Sequence, residues 1–245
     1  MGIELPPYIE AGIGRGERVL FFSDAHLEMG KTPKMLERAA RVERFLDYAR
    51  SDADVLVILG DLFDFYFEYK TVIPARYFRV MAGIESCTRA QVRCYYVAGN
   101  HDFWLGELFS STLGITIAKD SLLLTRETEP MERVLAAHGD GLGEGDTGYK
   151  ILKSILRNHV CISLFRLVHP DWGHAIARFT SRTSRKYTSR RQKNRAVASA
   201  QTARTLLESD NRLDAVILAH THYPEDMHFV SGRYLNTGDW LNHFS

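Results

Sequence analysis

Five short apolar runs, each closing on polar residues, constrain this chain more than any other feature. They are Arg18–Ser23 (RVLFFS), Asp54–Leu59 (DVLVIL), Gln91–Ala98 (QVRCYYVA), Arg133–Ala137 (RVLAA) and Asp214–Ala219 (DAVILA). Their length and their β-branched and aromatic content mark buried strands. Helix-like segments over Pro33–Arg50 and Pro74–Thr88 lie between the early ones. Strands alternating with helices predict an α/β fold with sheets covered on both faces. Met227–Phe229 and Arg233–Leu235 read as a late hairpin around Ser231-Gly232, and residues 1 to about 16 as an irregular lead-in.

With 245 residues, 45% hydrophobic and 25% charged, the chain has ordinary globular composition, which excludes disordered and fibrous classes. The length suits one large domain or a domain with an insertion. Cys87, Cys94 and Cys161 are too few and too scattered for a disulfide framework or a cysteine zinc site, and imply a reducing compartment. No stretch approaches the roughly 18 apolar residues of a membrane span. The start of the chain lacks the basic-then-apolar pattern of a signal peptide, so a cytoplasmic location is expected.

The formal charge of +1 conceals an asymmetry. Lys150–Leu206 holds 13 Lys or Arg against a single acid, Asp171; the remainder holds 18 basic and 29 acidic residues. Apolar residues recur there at helical spacing: Ile151, Ile155, Phe165, Leu167, Ile176 and Phe179. Residues 146–207 therefore read as a basic helical insertion into a core made of 1–145 and 208–245. A solvated helix face is the plain alternative for such a charge run.

The strand ends carry the chemistry. The runs terminate in Ser23-Asp24-Ala25-His26, Gly60-Asp61-Leu62-Phe63-Asp64, Gly99-Asn100-His101-Asp102, His138-Gly139-Asp140 and His220-Thr221-His222. In open α/β sheets the carboxyl ends of strands form the ligand crevice. Carboxylates, imidazoles and an amide oxygen suit divalent ions such as Mn²⁺, Fe²⁺ or Zn²⁺. Alternation along an extended segment lets Asp24 share an ion with His26, and His220 with His222. Asp61 is the candidate bridge between two ions, a pair that would hold a phosphoryl group and activate water. Each motif alone is weak; five in order at five strand ends are not a chance pattern.

This set, D-x-H, G-D-x-x-D, G-N-H-D, H-G-D and H-T-H, resembles the calcineurin-like metallophosphoesterase superfamily over Asp24–His222. The resemblance implies a four-layer α/β/β/α sandwich of two mixed sheets with a helical cap. It implies one metal on Asp24, His26, Asp61 and His222, and another on Asp61, Asn100, His138 and His220. His101 is then the phosphate contact and general acid, imidazole being suited to proton donation near neutrality; its alternative role is a supporting histidine held by Asp102. Asp64 and Asp102 read as orienters of ligand histidines. Ala219, where many members have Gly, is a departure that should only tighten the turn.

Within the superfamily, His138–Lys150 with the basic helices after it, and Leu235–Trp240, are similar to the UDP-2,3-diacylglucosamine pyrophosphohydrolases of lipid A biosynthesis. Some of those have Arg where this chain has His101, which fits a sister branch of similar activity. The resemblance implies hydrolysis of a UDP-linked diacylated sugar lipid with two divalent ions, Mn²⁺ first. It makes Asp146 the cap-base aspartate. Ser184, Arg185 and Arg190 are candidate substrate contacts in a run mixing hydroxyls with cations. Leu152, Ile155, Phe165, Trp172 and Phe179 are candidates for an acyl pocket or for plain helix packing. A basic cap also suits peripheral association with the inner face of the cell membrane. The alternative is a calcineurin-like nuclease or nucleotide phosphodiesterase or phosphatase. The scarcity of aromatics among the arginines disfavours nucleic acid. A non-enzymatic interaction module predicts lost ligands, and none is missing. No obligate protein partner is evident.

Overall fold

The computed structural model describes residues 5–142, 153–173, 175 and 192–244. In chain order its strands are β1 (Tyr8–Ile13), β2 (Val19–Phe22), β3 (Val55–Ile58), β4 (Arg93–Val97), β5 (Thr116–Ala118), β6 (Ser121–Arg126), β7 (Glu132–Ala137), β8 (Ala215–Leu218), β9 (Glu225–Phe229) and β10 (Gly232–Asn236). Its helices include α1 (Pro33–Asp52), α2 (Phe78–Arg89), α3 (His159–Phe165) and α4 (Gln192–Ser209). Two sheets result, one ordered β1-β6-β7-β8-β10-β9 and one ordered β2-β3-β4-β5. The first is mixed, as expected. In the second every pairing is parallel, a refinement of the expected pair of mixed sheets.

Four layers follow from which way the side chains alternate. Leu56 and Ile58 of β3 face outward against Val42, Leu46 and Ile84 of α1 and α2. Val55, Val57 and Leu59 face inward against Leu122, Leu124, Ala136 and Ile217 of the other sheet. Leu123, Leu135, Val216 and Tyr234 on that sheet's outer face receive Ala203, Leu206 and Leu207 of α4. Strands buried on both faces need unbroken apolar runs, which is why DVLVIL and DAVILA carry them. Helix α1 begins where the sequence signals it, with Pro33 in the first turn and Thr32 Oγ1 accepting from Met35 N, a cap of about 1 kcal/mol.

Two expectations change. The lead-in is not irregular: Tyr8–Ile13 forms an edge strand paired parallel to β6. The insertion boundary at 207 falls inside α4, whose Ala203, Leu206 and Leu207 belong to the core. Of the apolar residues considered for an acyl pocket, Phe165 packs against Phe67 and Trp104. Ile155 and Trp172 are exposed, as is Leu167. Leu152 and Phe179 lie outside the described residues.

Two cations of the basic segment Lys150–Leu206 pair with acids outside it. Lys153 pairs with Asp140 at 2.7 Å and Arg157 with Asp120 at 2.7 Å. Trp104 Nε1 donates to the Leu156 carbonyl.

Candidate metal centre

The polar strand ends converge at one edge of the two facing sheets. Asp24, His26, Asp61, His220 and His222 all have positive φ, between 43° and 67°. For residues with a Cβ this left-handed conformation costs about 1–2 kcal/mol each, strain of the kind that collects at functional sites. The expected extended alternation is therefore absent; tight left-handed turns bring these side chains round instead. Gly60 permits a close approach: its φ is 77°, and a Cβ there would sit 2.6 Å from Gly99 Cα and 2.9 Å from His138 Nδ1.

The side chains gather into overlapping groups whose donor atoms lie within 4.8 Å of one another: Asp24, His26 and His222; Asp61, His138 and His220; and His26, Asp61 and His101. His220 and His222 thus fall in different groups, against the alternation argument. Asn100 joins the second group, its Oδ1 being 3.2 Å from His138 Nε2. Asp61 Oδ2 stands between the groups, 3.4 Å from His138 Nε2, 3.7 Å from His26 Nε2 and 3.9 Å from His101 Nε2. Asp146, Ser184, Arg185 and Arg190 lie outside the described residues.

Supports behind the site fix these groups. His138 Nδ1 donates to the Leu59 carbonyl at 2.7 Å, which leaves Nε2 as a lone-pair donor into the centre. Asp24 Oδ2 accepts from Ser23 Oγ and from His220 N, so the first motif braces the last. Ala219 N donates to the His138 carbonyl, with its methyl buried. His101 is held by the Asp64 carbonyl, which accepts from its Nδ1 at 2.7 Å, and not by Asp102.

Asp102 does other work than orienting a histidine. Its Oδ1 accepts from Asp61 N and Gly99 N, and its Oδ2 from Phe63 N and from Tyr96 Oη at 2.5 Å. It clamps two ligand loops through their backbones. Asp64 Oδ1 lies 3.8 Å from His26 Nδ1, beyond hydrogen-bond distance, so the expected orienting bond is not made. Sequence reasoning missed Asp239, although it lies in the Leu235–Trp240 stretch. Its Oδ2 is 3.4 Å from His222 Nδ1, while its Oδ1 accepts from the N–H groups of Leu241, Asn242 and His243. An acid directly after Asn236-Thr237-Gly238, a turn sequence closing the last strand, was the available signal.

The electrostatics are those of a cation site. Burial alone would raise the Asp61 carboxyl, but the neighbouring His138 and His101 imidazoles outweigh it and hold it well below the usual range. Burial lowers His138, yet Asp61 overcomes that and pushes it up to about 10. Burial and the adjacent His138 drive His220 down to about 4, because two imidazoles 3.3 Å apart cannot both be charged. Asp24 Oδ1 and His26 Nδ1 are buried and make no hydrogen bond. His26 Nε2 and His222 Nε2 face each other at 3.1 Å. Converging carboxylate and imidazole atoms with unsatisfied lone pairs fit divalent ions.

Comparison with known proteins agrees. The sequence profile of the calcineurin-like phosphoesterases matches residues 17–224. The chain belongs to that family. It is accordingly a metal-dependent hydrolase, and the family implies divalent ions at this centre. A UDP-2,3-diacylglucosamine hydrolase from Porphyromonas gingivalis is 27% identical over 93% of this chain and 92% of its own. One of the same name from Aeromonas hydrophila is 30% identical over 91% and 90%. Among solved structures, a dimetal phosphatase from Danio rerio overlaps at a TM-score of 0.47 and 14% identity, covering 91% of this chain and 87% of that one.

Proposed function

We propose that this phosphoesterase hydrolyses the pyrophosphate bond of UDP-2,3-diacylglucosamine, giving 2,3-diacylglucosamine 1-phosphate and UMP in lipid A biosynthesis. The observation that carries the chemistry is Asp61 Oδ2, set within 3.9 Å of imidazoles from all three groups. The substrate follows the near full-length likeness to relatives of that name. Asp24, His26, Asp61 and His222 would hold one ion, and Asp61, Asn100, His138 and His220 the other. Mn²⁺ is the inferred metal, and Fe²⁺ and Zn²⁺ suit the same donors. When bound, such ions polarise a phosphoryl group and activate water.

The chain's own residues do the rest. Hydrolysis adds OH to one phosphorus and a proton to the departing phosphate oxygen. His101 donates that proton from Nε2, its ring held by the Asp64 carbonyl at Nδ1. Its side chain is 21% exposed, whereas those of His26 and His138 are 4% and 1% exposed, so it can touch substrate. Asp146, Ser184, Arg185 and Arg190 contribute substrate contacts. A diacylated substrate resides in a bilayer, and the basic insertion favours an anionic inner membrane face by about 1 kcal/mol per cation. No helix among the described residues is long and apolar enough to cross a membrane.

Purified protein given Mn²⁺ and UDP-2,3-diacylglucosamine should release UMP. Turnover of a simple diester such as bis(p-nitrophenyl) phosphate without UMP release would transfer the chemistry to another substrate, a nucleotide or polynucleotide among them.

A further inference from the structure

We infer that Tyr223 and His243 seat the nucleoside half of the substrate, as a specificity-determining pair beside the metal centre. The inference rests on the substrate reading above and says which wall takes which half. The centre reaches solvent at His101 and at His222, whose side chains are 21% and 24% exposed. The surfaces formed by the residues that follow these two histidines in the chain differ in kind.

After His101 come Phe103 and Trp104, which line a cavity of about 310 Å³ with Phe67, Ile162, Lys119 and Arg166. That wall is largely apolar with a cationic edge. After His222 comes Tyr223, 45% exposed, with its ring edge-on to that of His243 at a centroid distance of 6.3 Å. His243 is pinned by Asp239 Oδ1, which accepts from its backbone N–H at 3.0 Å and lies 3.2 Å from its Nδ1. The other oxygen of Asp239 lies 3.4 Å from His222 Nδ1. One buried carboxylate therefore sets both a candidate metal ligand and the neighbouring aromatic surface. Pro224 further restricts the backbone of Tyr223.

In-line displacement places the leaving oxygen opposite the attacking one and the retained ester oxygen in the plane between them, so the two arms of a pyrophosphate leave the reacting phosphorus at roughly a right angle. The acylated sugar requires the apolar wall. A flat base with polar edges requires an ordered aromatic face with hydrogen-bonding atoms, which a phenol and an imidazole supply. Stacking of a base on an aromatic side chain changes affinity by roughly 5- to 150-fold.

The test is calorimetric titration of the Mn²⁺-loaded full-length protein with UMP and, separately, with ribose 5-phosphate, which lacks the base. The wild type should prefer UMP by about 10-fold or more. Tyr223→Leu, which keeps bulk but not the ring, should bring the two within about threefold, and Tyr223→Phe should retain the preference, with metal content measured for each. A wild type that binds both alike, or Tyr223→Leu retaining the preference, overturns the inference. UMP preference that depends on Tyr223 without turnover of the lipid substrate would keep the seat and remove the lipid reading. Lipid turnover without UMP preference would do the reverse.

Discussion

The two halves of the candidate centre each offer two imidazoles, joined by the Asp24 carboxylate in one and the Asn100 amide in the other, and they are held from behind by different atoms. His222 has a carboxylate behind it, Asp239 at 3.4 Å, while Asp64 stands 3.8 Å from His26 without a hydrogen bond. His138 has a peptide carbonyl, that of Leu59 at 2.7 Å, on the segment continuing β3. A carboxylate behind an imidazole raises its basicity and fixes its tautomer. It is also a side chain, and so open to substitution, whereas the carbonyl is not. The half built on Asp24, His26 and His222 is thus tunable from outside its ligands, and the half built on His138 is tied to the sheet itself.

Substitutions can break or sharpen this contrast. The largest effect belongs to Asp61→Ala, which removes the atom common to both halves. Turnover should fall by about 1,000-fold or more, several kcal/mol of transition-state stabilisation, with metal content by mass spectrometry below that of wild type. His101→Ala should lower turnover by about 100-fold while both ions stay bound; loss of metal would place His101 among the ligands. Asp239→Asn should weaken one Mn²⁺ by about 10- to 100-fold and leave the second within about threefold, as read by titration calorimetry. Equal weakening of both would erase the distinction between the halves. Tyr96→Phe should act on both halves alike, since Asp102 clamps loops of each. It should cost about 1–2 kcal/mol in urea unfolding and shift the two metal affinities together.

The sequence discloses those parts of the fold and site that are encoded locally. Runs such as DVLVIL are apolar throughout because both faces of their strand are covered, and the candidate ligands follow directly at the strand ends. What it hides depends on long-range contact. β1 reads YIEAGI, an edge strand with only Ala11 and Ile13 buried, so it carries half the apolar signal of a central strand. β5 is only three residues long. Asp102 follows a ligand-bearing motif and so reads as a histidine's partner, yet the backbone amides of Asp61 and Phe63 reach it first from another strand end. Asp239 meets His222 only after β10 has returned alongside β8. The left-handed turns at Asp24 and His26 are invisible as well, because residues with side chains rarely announce a positive φ.

Helix α4 sets a condition on how this protein can diversify. The chain leaves the sandwich after β7 and returns to it as a helix buried against β8 and β10, so the stretch between is one excursion whose two ends are anchored on the same sheet. The entropy of closing such an excursion rises only with the logarithm of its length. Residues can be gained, lost or exchanged there at little thermodynamic penalty to the sandwich, and the catalytic turns at the strand ends need not move when they are. Changes of length there are thus decoupled from the strand-end turns that gather the candidate ligands.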